Sequence, residues 1–128
     1  MATFEAAGLA AARTLPGVRV PVDHDHLARY TFGNRALELE VLNLFADQAP
    51  EYLARLREAR SDKEWRDAAH TLKGSARAVG AVCVAELAER AEAWRMLPEA
   101  EERAIVLDDL AEAVSEARSH IALLDLQH

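Results

Sequence analysis

Apolar positions recur at steps of three and four residues along most of the chain, which is the spacing of amphipathic α-helices. A long helix is predicted to begin at Asn34, whose side chain is suited to an N-cap. Pro50 lies inside this helix, so we expect a bend or a break there. Seven positions form the predicted apolar face: Leu37, Val41, Phe45, Ala49, Tyr52, Leu53 and Leu56.

Three more helices are predicted downstream. Ser61 or Asp62 caps the first, which runs to about Val79 before Gly80, and the last starts at Pro98. The second covers residues 81–96 and is expected to bury Val84, Leu87, Ala88, Ala91 and Trp94. The apolar seam of the last helix alternates steps of three and four: Leu107, Leu110, Val114, Ala117, Ile121 and Leu124.

The N-terminal part of the chain differs from the rest. Residues 14–22, "TLPGVRVPV", are typical of a linker, and Asp23 can cap a short helix that Gly33 closes. We therefore predict an N-terminal extension or linker over residues 1–22 and one domain over residues 23–128. Its fold class is all-α, an antiparallel up-down-up-down four-helix bundle preceded by a short N-terminal helix or extension.

Charge and composition exclude several functions. The chain has 128 residues and a net charge of −7, which disfavours binding to nucleic acid or to anionic lipid. Cys83 is the single cysteine, so no internal disulfide forms. No stretch reaches the roughly 18 apolar residues of a membrane span, and no export signal is evident. We expect a cytoplasmic protein with no membrane association.

The candidate chemistry lies in residues 65–81, "WRDAAHTLKGSARAVGA". On a helix, His70, Lys73, Gly74 and Arg77 share one stripe, which is expected to face solvent. The opposite stripe is expected to enter the core and consists of Trp65, Ala69, Leu72, Ala76 and Val79. A histidine outside the apolar stripe is more typical of chemistry than of core packing.

The surroundings of His70 favour phosphoryl chemistry. No acidic residue occurs from Ala68 to Ala85, so the histidine face is expected to be free of carboxylates that would repel a phosphoryl group. The Lys73 ammonium would attract one, and a neutral imidazole keeps a lone pair for nucleophilic attack. Gly74 costs about 1 kcal/mol in mid-helix relative to alanine, which suggests that a large partner needs clearance there.

The segment "AAHTLKGSARAVGA" resembles the signature of the histidine-containing phosphotransfer (HPt) family, and the resemblance extends over about residues 23–125. It implies that His70 is phosphorylated on Nε2, that Lys73 stabilises the phosphoryl group, and that Gly74 gives steric clearance. It also implies a phosphorelay intermediate that accepts phosphate from one receiver-domain aspartate, of a hybrid sensor kinase or a response regulator, and passes it to another. Such a chain has no kinase or nucleotide site and no cofactor of its own, and the receiver supplies Mg²⁺.

Five further residues are predicted to contact the receiver: Thr71, Arg77, Ala78, Phe45 and Gln48. Two of them have alternatives, since Phe45 can pack in the core and Arg77 can be a solvated arginine. No side chain that orients the second ring nitrogen of His70 can be named, and water can fill that role.

Other interpretations remain open at this stage. His24 and His26 flank Asp25 and could form a metal clip, but capping or solvation explains them better, so no metal site is predicted. The alternative function is an HPt-like module that binds receivers without transferring phosphate. A monomer is expected, because the seam of the last helix is used within one bundle.

Overall fold

The structure, a computed structural model, describes residues 21–127 and contains five helices in that range. They are α1 (His24–Thr31), α2 (Arg35–Glu58), α3 (Asp62–Val79), α4 (Val82–Ala93) and α5 (Ala100–Gln127). The predicted all-α fold, a four-helix bundle with a short N-terminal helix, is confirmed. The predicted extension over residues 1–22 lies almost wholly outside the described residues and stays a prediction, although Val22 at its end is fully buried.

The four long helices form a closed ring. Each of α2, α3 and α4 packs on the helix that follows it in the chain, and α5 closes the ring against α2. The core lies between them and is rich in leucine, valine and alanine. Because α2 contacts both α3 and α5, it buries a wider face than one stripe, and Leu42 and Ala46 join the predicted positions in the core.

The helix boundaries follow the predicted caps. Asn34 and Ser61 accept hydrogen bonds from the amides of Leu37 and Glu64, at 3.0 and 3.1 Å. Asp23 caps α1 in the same way by accepting from the amide of His26. We expected a bend or a break at Pro50; the break is absent, since α2 is one continuous helix, and the bend stays a prediction.

Gly80 ends α3 because the chain needs a left-handed residue without a side chain there. Its φ is +77°, and a Cβ would lie 2.8 Å from the carbonyl oxygen of Asp23. In return, the Asp23 amide donates to the Gly80 carbonyl at 2.7 Å. This contact fixes the start of α1 against the α3–α4 connection.

Three predictions about individual positions are wrong. Leu37 and Trp94 are each about 40% exposed and do not belong to the core. The partly exposed ring of Trp94 instead stacks on the buried ring of Trp65, with centroids 6.3 Å apart. The fourth helix ends at Ala93, so Trp94 lies at its C-cap rather than inside it.

Arg103 links the first turn of α5 to the C-terminus of α2 at one end of the bundle. Its Nη2 lies 2.6, 2.6 and 2.7 Å from the carbonyl oxygens of Leu56, Arg57 and Ala59, and its guanidinium lies over the Trp65 ring at 5.7 Å. The cation therefore satisfies carbonyls that the C-terminus of α2 leaves without helical partners.

Replacing Arg103 with alanine is expected to lower the free energy of unfolding by about 2–4 kcal/mol, because charged hydrogen bonds are lost and the carbonyls are left partly buried. Urea denaturation measures the change. Arg90→Ala, an exposed arginine on α4, is the matched control and should change stability by less than about 0.5 kcal/mol. Equal denaturation midpoints for the two variants would contradict the capping role.

Candidate functional site

The predicted division of α3 into two faces is found in the structure. The five residues predicted for the core stripe are all buried: Trp65, Ala69, Leu72, Ala76 and Val79. On the other stripe, the His70 side chain is 69% exposed, and Gly74 and Arg77 are also at the surface. The histidine is therefore held on a rigid helix and stands in solvent.

Glu92 on α4 contacts the side of His70 that faces the bundle. Its Oε2 lies 2.8 Å from His70 Nδ1. Because a carboxylate only accepts, Nδ1 carries the proton and donates it. The other nitrogen of a neutral ring, Nε2, is then left with its lone pair on the exposed side of the imidazole.

Glu92 also binds Lys73. Its Oε1 lies 2.5 Å from Lys73 Nζ. This oxygen is shielded from solvent, and its contact with the ammonium is an ion pair without hydrogen-bond geometry. Lys73, with 16% of its side chain exposed, is more buried than predicted. Lys73 thus fixes the position of the Glu92 carboxylate, which in turn accepts the hydrogen bond from His70 Nδ1.

The contacts with Lys73 and His70 lower the pKa of Glu92. The ammonium of Lys73 contributes most and the imidazole of His70 adds to it, while partial burial acts in the opposite direction. Since the pKa is lower in the folded chain, the ionised carboxylate stabilises the fold above the ordinary glutamate range, and this contribution is lost as the pH falls through the lowered value. At neutral pH, Glu92 is charged and can keep the Nδ1 proton in place.

The expectation of a carboxylate-free histidine face is wrong. No acidic residue is close in sequence, but α4 brings Glu92 to His70 and Lys73, and Glu89 to Arg77 at 3.1 Å. The position of Glu92 beside His70 could have been predicted from the sequence. In an antiparallel hairpin, residues at similar distances from the connection lie level, and His70 precedes Gly80 by ten residues while Glu92 follows it by twelve.

The register of α4 depends on Trp65. Its ring is fully buried, and Nε1 donates to the carbonyl of Ala91 at 2.8 Å. Ala91 directly precedes Glu92, so this hydrogen bond fixes the position of the carboxylate along α3. A core residue thereby positions the polar group at the surface.

Gly74 has no packing reason to be glycine. A Cβ at this position would meet nothing within 4 Å, and its backbone lies within a regular helix. Alanine would therefore fit and would favour the helix by about 1 kcal/mol. The reason for glycine is to be sought outside this chain.

The predicted docking residues divide into two groups. Thr71, Arg77 and Ala78 are exposed on α3, and Gln48 on α2 is half-buried, so all four remain candidates. Phe45 is 2% exposed and packs in the core, so its prediction as a docking contact is wrong. Its neighbour Leu44 is 56% exposed and is the apolar residue that α2 presents to solvent at this level.

The histidines considered for a metal clip have other contacts. His24 Nε2 lies 2.8 Å from His120 Nε2 on α5, and His26 Nε2 donates to the Arg77 carbonyl at 2.9 Å. Within residues 21–127, no group of three or more His, Cys, Asp or Glu side chains is arranged to hold a metal ion. Over the same range, no helix is both long and apolar enough to span a membrane.

Comparison with known protein families gives a match over most of the bundle. The family model of the Hpt domain matches residues 40–120, well over half of the chain, and the match includes His70, Lys73, Gly74 and Glu92. Searches of curated proteins and of solved structures gave no significant match. Members of the matched family take part in phosphorelays and interact with the receiver domains of two-component systems. The chain belongs to the Hpt domain family.

Proposed function

We propose that this chain is a phosphorelay intermediate that carries a phosphoryl group on Nε2 of His70. The observation that supports this most strongly is the contact between the exposed imidazole of His70 and the partly buried carboxylate of Glu92. Because Nδ1 is hydrogen-bonded to Glu92, Nε2 is the nitrogen available for attack on phosphorus. Donor and acceptor are aspartates of two receiver domains, belonging to hybrid sensor kinases or response regulators.

The transfer step balances without a redox partner. The Nε2 lone pair attacks phosphorus, the bond between phosphorus and the aspartyl oxygen breaks, and that electron pair leaves with the aspartate carboxylate. The ring keeps its Nδ1 proton and becomes cationic, and Glu92 at 2.8 Å offsets the new charge. Onward transfer reverses these events with a second aspartate as the nucleophile.

Lys73 has an altered role in this proposal. Its ammonium is bonded to Glu92 in the resting site, so it acts first by fixing that carboxylate and second by its field on the phosphoryl oxygens. The receiver would hold the Mg²⁺ that such transfers use. Glu92, the carboxylate beside His70, is already bonded to the Lys73 ammonium and to the Nδ1–H of His70, and it is not placed as a metal ligand.

The direct test of the proposal is a two-step relay. A tagged receiver domain carrying ³²P on its aspartate is incubated with the purified chain and then removed, and a second receiver is added. We expect label on the chain after the first step and on the second receiver after the second step. If the chain forms a complex with the receiver but never takes up label, the proposal fails and the chain is a binding module without phosphotransfer.

Replacing Glu92 with alanine is expected to slow labelling of His70 on the order of tenfold to a hundredfold, because the tautomer and orientation of the ring are no longer fixed. Glu92→Gln should lose less, because the amide oxygen can still accept from Nδ1 but carries no charge. Initial rates of label uptake measure both. Glu112→Gln, an exposed carboxylate on α5, is the control, and a loss as large as that of Glu92→Ala would exclude a specific role for Glu92.

Two further predictions belong to this proposal. We expect the chain to work as a monomer, because the apolar seam of α5 packs within one bundle. We also expect it to act in the cytoplasm. Sedimentation of the purified chain and fractionation of cells test these predictions separately from the transfer chemistry.

A further inference from the structure

The short helix α1 lies outside the part of the chain that the Hpt family accounts for. The family match covers residues 40–120, whereas α1 is His24–Thr31. It is nevertheless firmly placed on the bundle. Leu27 is buried in the core, Asp23 pairs with the backbone of Gly80, and His26 donates to the carbonyl of Arg77. All of these contacts fix α1 at the C-terminal half of α3.

This position makes α1 one wall of a groove. The groove has a volume of about 620 Å³ and is bounded by His26 and Tyr30 on α1, by Gly74 and Ala78 on α3, and by Val82 on α4. Tyr30 is 66% exposed and packs edge-on against the His26 ring, with centroids 5.1 Å apart. A large aromatic side chain is therefore presented to solvent beside the glycine that we assign to partner clearance.

The groove begins about one helical turn along α3 from His70, at Gly74. At 1.5 Å per residue, Gly74 lies about 6 Å and Ala78 about 12 Å along the axis from His70. A specific interface covers roughly 800 Å² on each partner, which corresponds to a disc of about 16 Å radius. A receiver centred on His70 therefore extends past the level of Gly74 and Ala78 along α3, where the groove that Tyr30 lines is found.

We propose that α1 is part of the receiver-docking surface and that Tyr30 is a contact that selects among receiver domains. This inference rests on the proposed function for the identity of the partner. Tyrosine is one of the residue types enriched among those that dominate binding energy, since it offers a large and rigid contact area. Because α1 carries none of the residues assigned to the transfer step, a contact from it is suited to selectivity rather than to the chemistry.

The test compares Tyr30→Ala with wild type against a panel of purified receiver domains of the source organism, each phosphorylated with acetyl phosphate. For the receivers that label wild type best, we expect KM to rise about tenfold and kcat to stay within about twofold, since the contact is remote from the reacting atoms. Tyr30→Phe keeps the ring and should restore most of the affinity. Ile105 lies on α5, in a different groove that α5 forms with α4, and its side chain is as exposed as that of Tyr30. Ile105→Ala should leave KM unchanged.

Phosphoramidate, a small phosphodonor, separates docking from chemistry. It needs no docking surface, so Tyr30→Ala should be labelled on His70 at the wild-type rate. A slower rate with this donor would mean that Tyr30 acts on the histidine itself and would overturn the docking role. If no receiver labels wild type while phosphoramidate does, the relay proposal and this inference both fail, although His70 remains a competent nucleophile.

Other measurements test the docking role of α1 and Tyr30 directly. Titration of ¹⁵N-labelled wild type with an active receiver should shift the amide resonances of α1, and unchanged α1 resonances would overturn the proposal. Wild-type KM values for Tyr30→Ala with every active receiver would do the same. Sedimentation tests whether the groove instead binds a second copy of the chain, and a dimer that Tyr30→Ala dissociates would also overturn receiver docking.

Discussion

Substituting His70 with glutamine is expected to abolish phosphate uptake from receivers and from phosphoramidate alike. Glutamine has a similar length and is polar, but its amide nitrogen has no available lone pair for attack on phosphorus. The fold should be retained, because the His70 side chain is largely exposed and contributes little to the core. The expected result is a soluble variant with a wild-type circular dichroism spectrum and label at background level.

The control for this variant is another histidine on the same chain. His120 lies on α5 and contacts His24 at the far end of α1, so His120→Gln should be labelled like wild type. If His70→Gln still took up label, the phosphoryl group would be on a different residue and the assigned site would be wrong. Loss of label in both variants would point to damage to the fold.

Enlarging Gly74 is expected to separate stability from function. Gly74→Ala should raise the free energy of unfolding by about 0.5–1 kcal/mol, because the helix gains a better residue and the added Cβ meets nothing within 4 Å. Gly74→Leu should remain folded as well. Helical side chains lean toward the N-terminus, so the leucine side chain would cover the helix surface between position 74 and the His70 ring.

The loss of transfer rate in Gly74→Leu should be large only when the phosphodonor is a protein. We expect Gly74→Leu to slow transfer from a phosphorylated receiver by roughly a hundredfold, since a displacement of about 1 Å at the reacting atoms is sufficient for such a loss. Labelling by phosphoramidate should fall by less than about tenfold. Chemical denaturation and the two labelling rates measure these effects. Wild-type transfer from the receiver to Gly74→Leu would contradict the clearance role.

The buried face of α3 was predictable from the sequence because a single apolar stripe packs against the bundle. The prediction was less accurate for α2, which packs on both α3 and α5. There the predicted apolar face correctly included Phe45, but it omitted the buried Leu42 and Ala46 and included the exposed Leu37. Assigning docking residues on α2 therefore required the helix arrangement.

His70, Lys73 and Gly74 were identified from local spacing, because one helix carries all of them. Glu92 was missed, since its role depends on the register between α3 and α4 and on the hydrogen bond from Trp65 to Ala91 that sets it. The absence of acidic residues close in sequence suggested an open cationic face. In the folded chain that face is partly neutralised, because Lys73 and Arg77 each pair with a glutamate of α4.

The central claim is that Nδ1 of His70 is held protonated by Glu92 while Nε2 carries the phosphoryl group. Long-range ¹H–¹⁵N correlation spectra of the imidazole, recorded on the chain after labelling by a phosphorylated receiver, test it most directly because they distinguish the two ring nitrogens. We expect phosphorylation of His70 at Nε2 with a protonated Nδ1. Phosphate on Nδ1, phosphate on any other residue, or an unmodified ring beside an active donor would contradict the account.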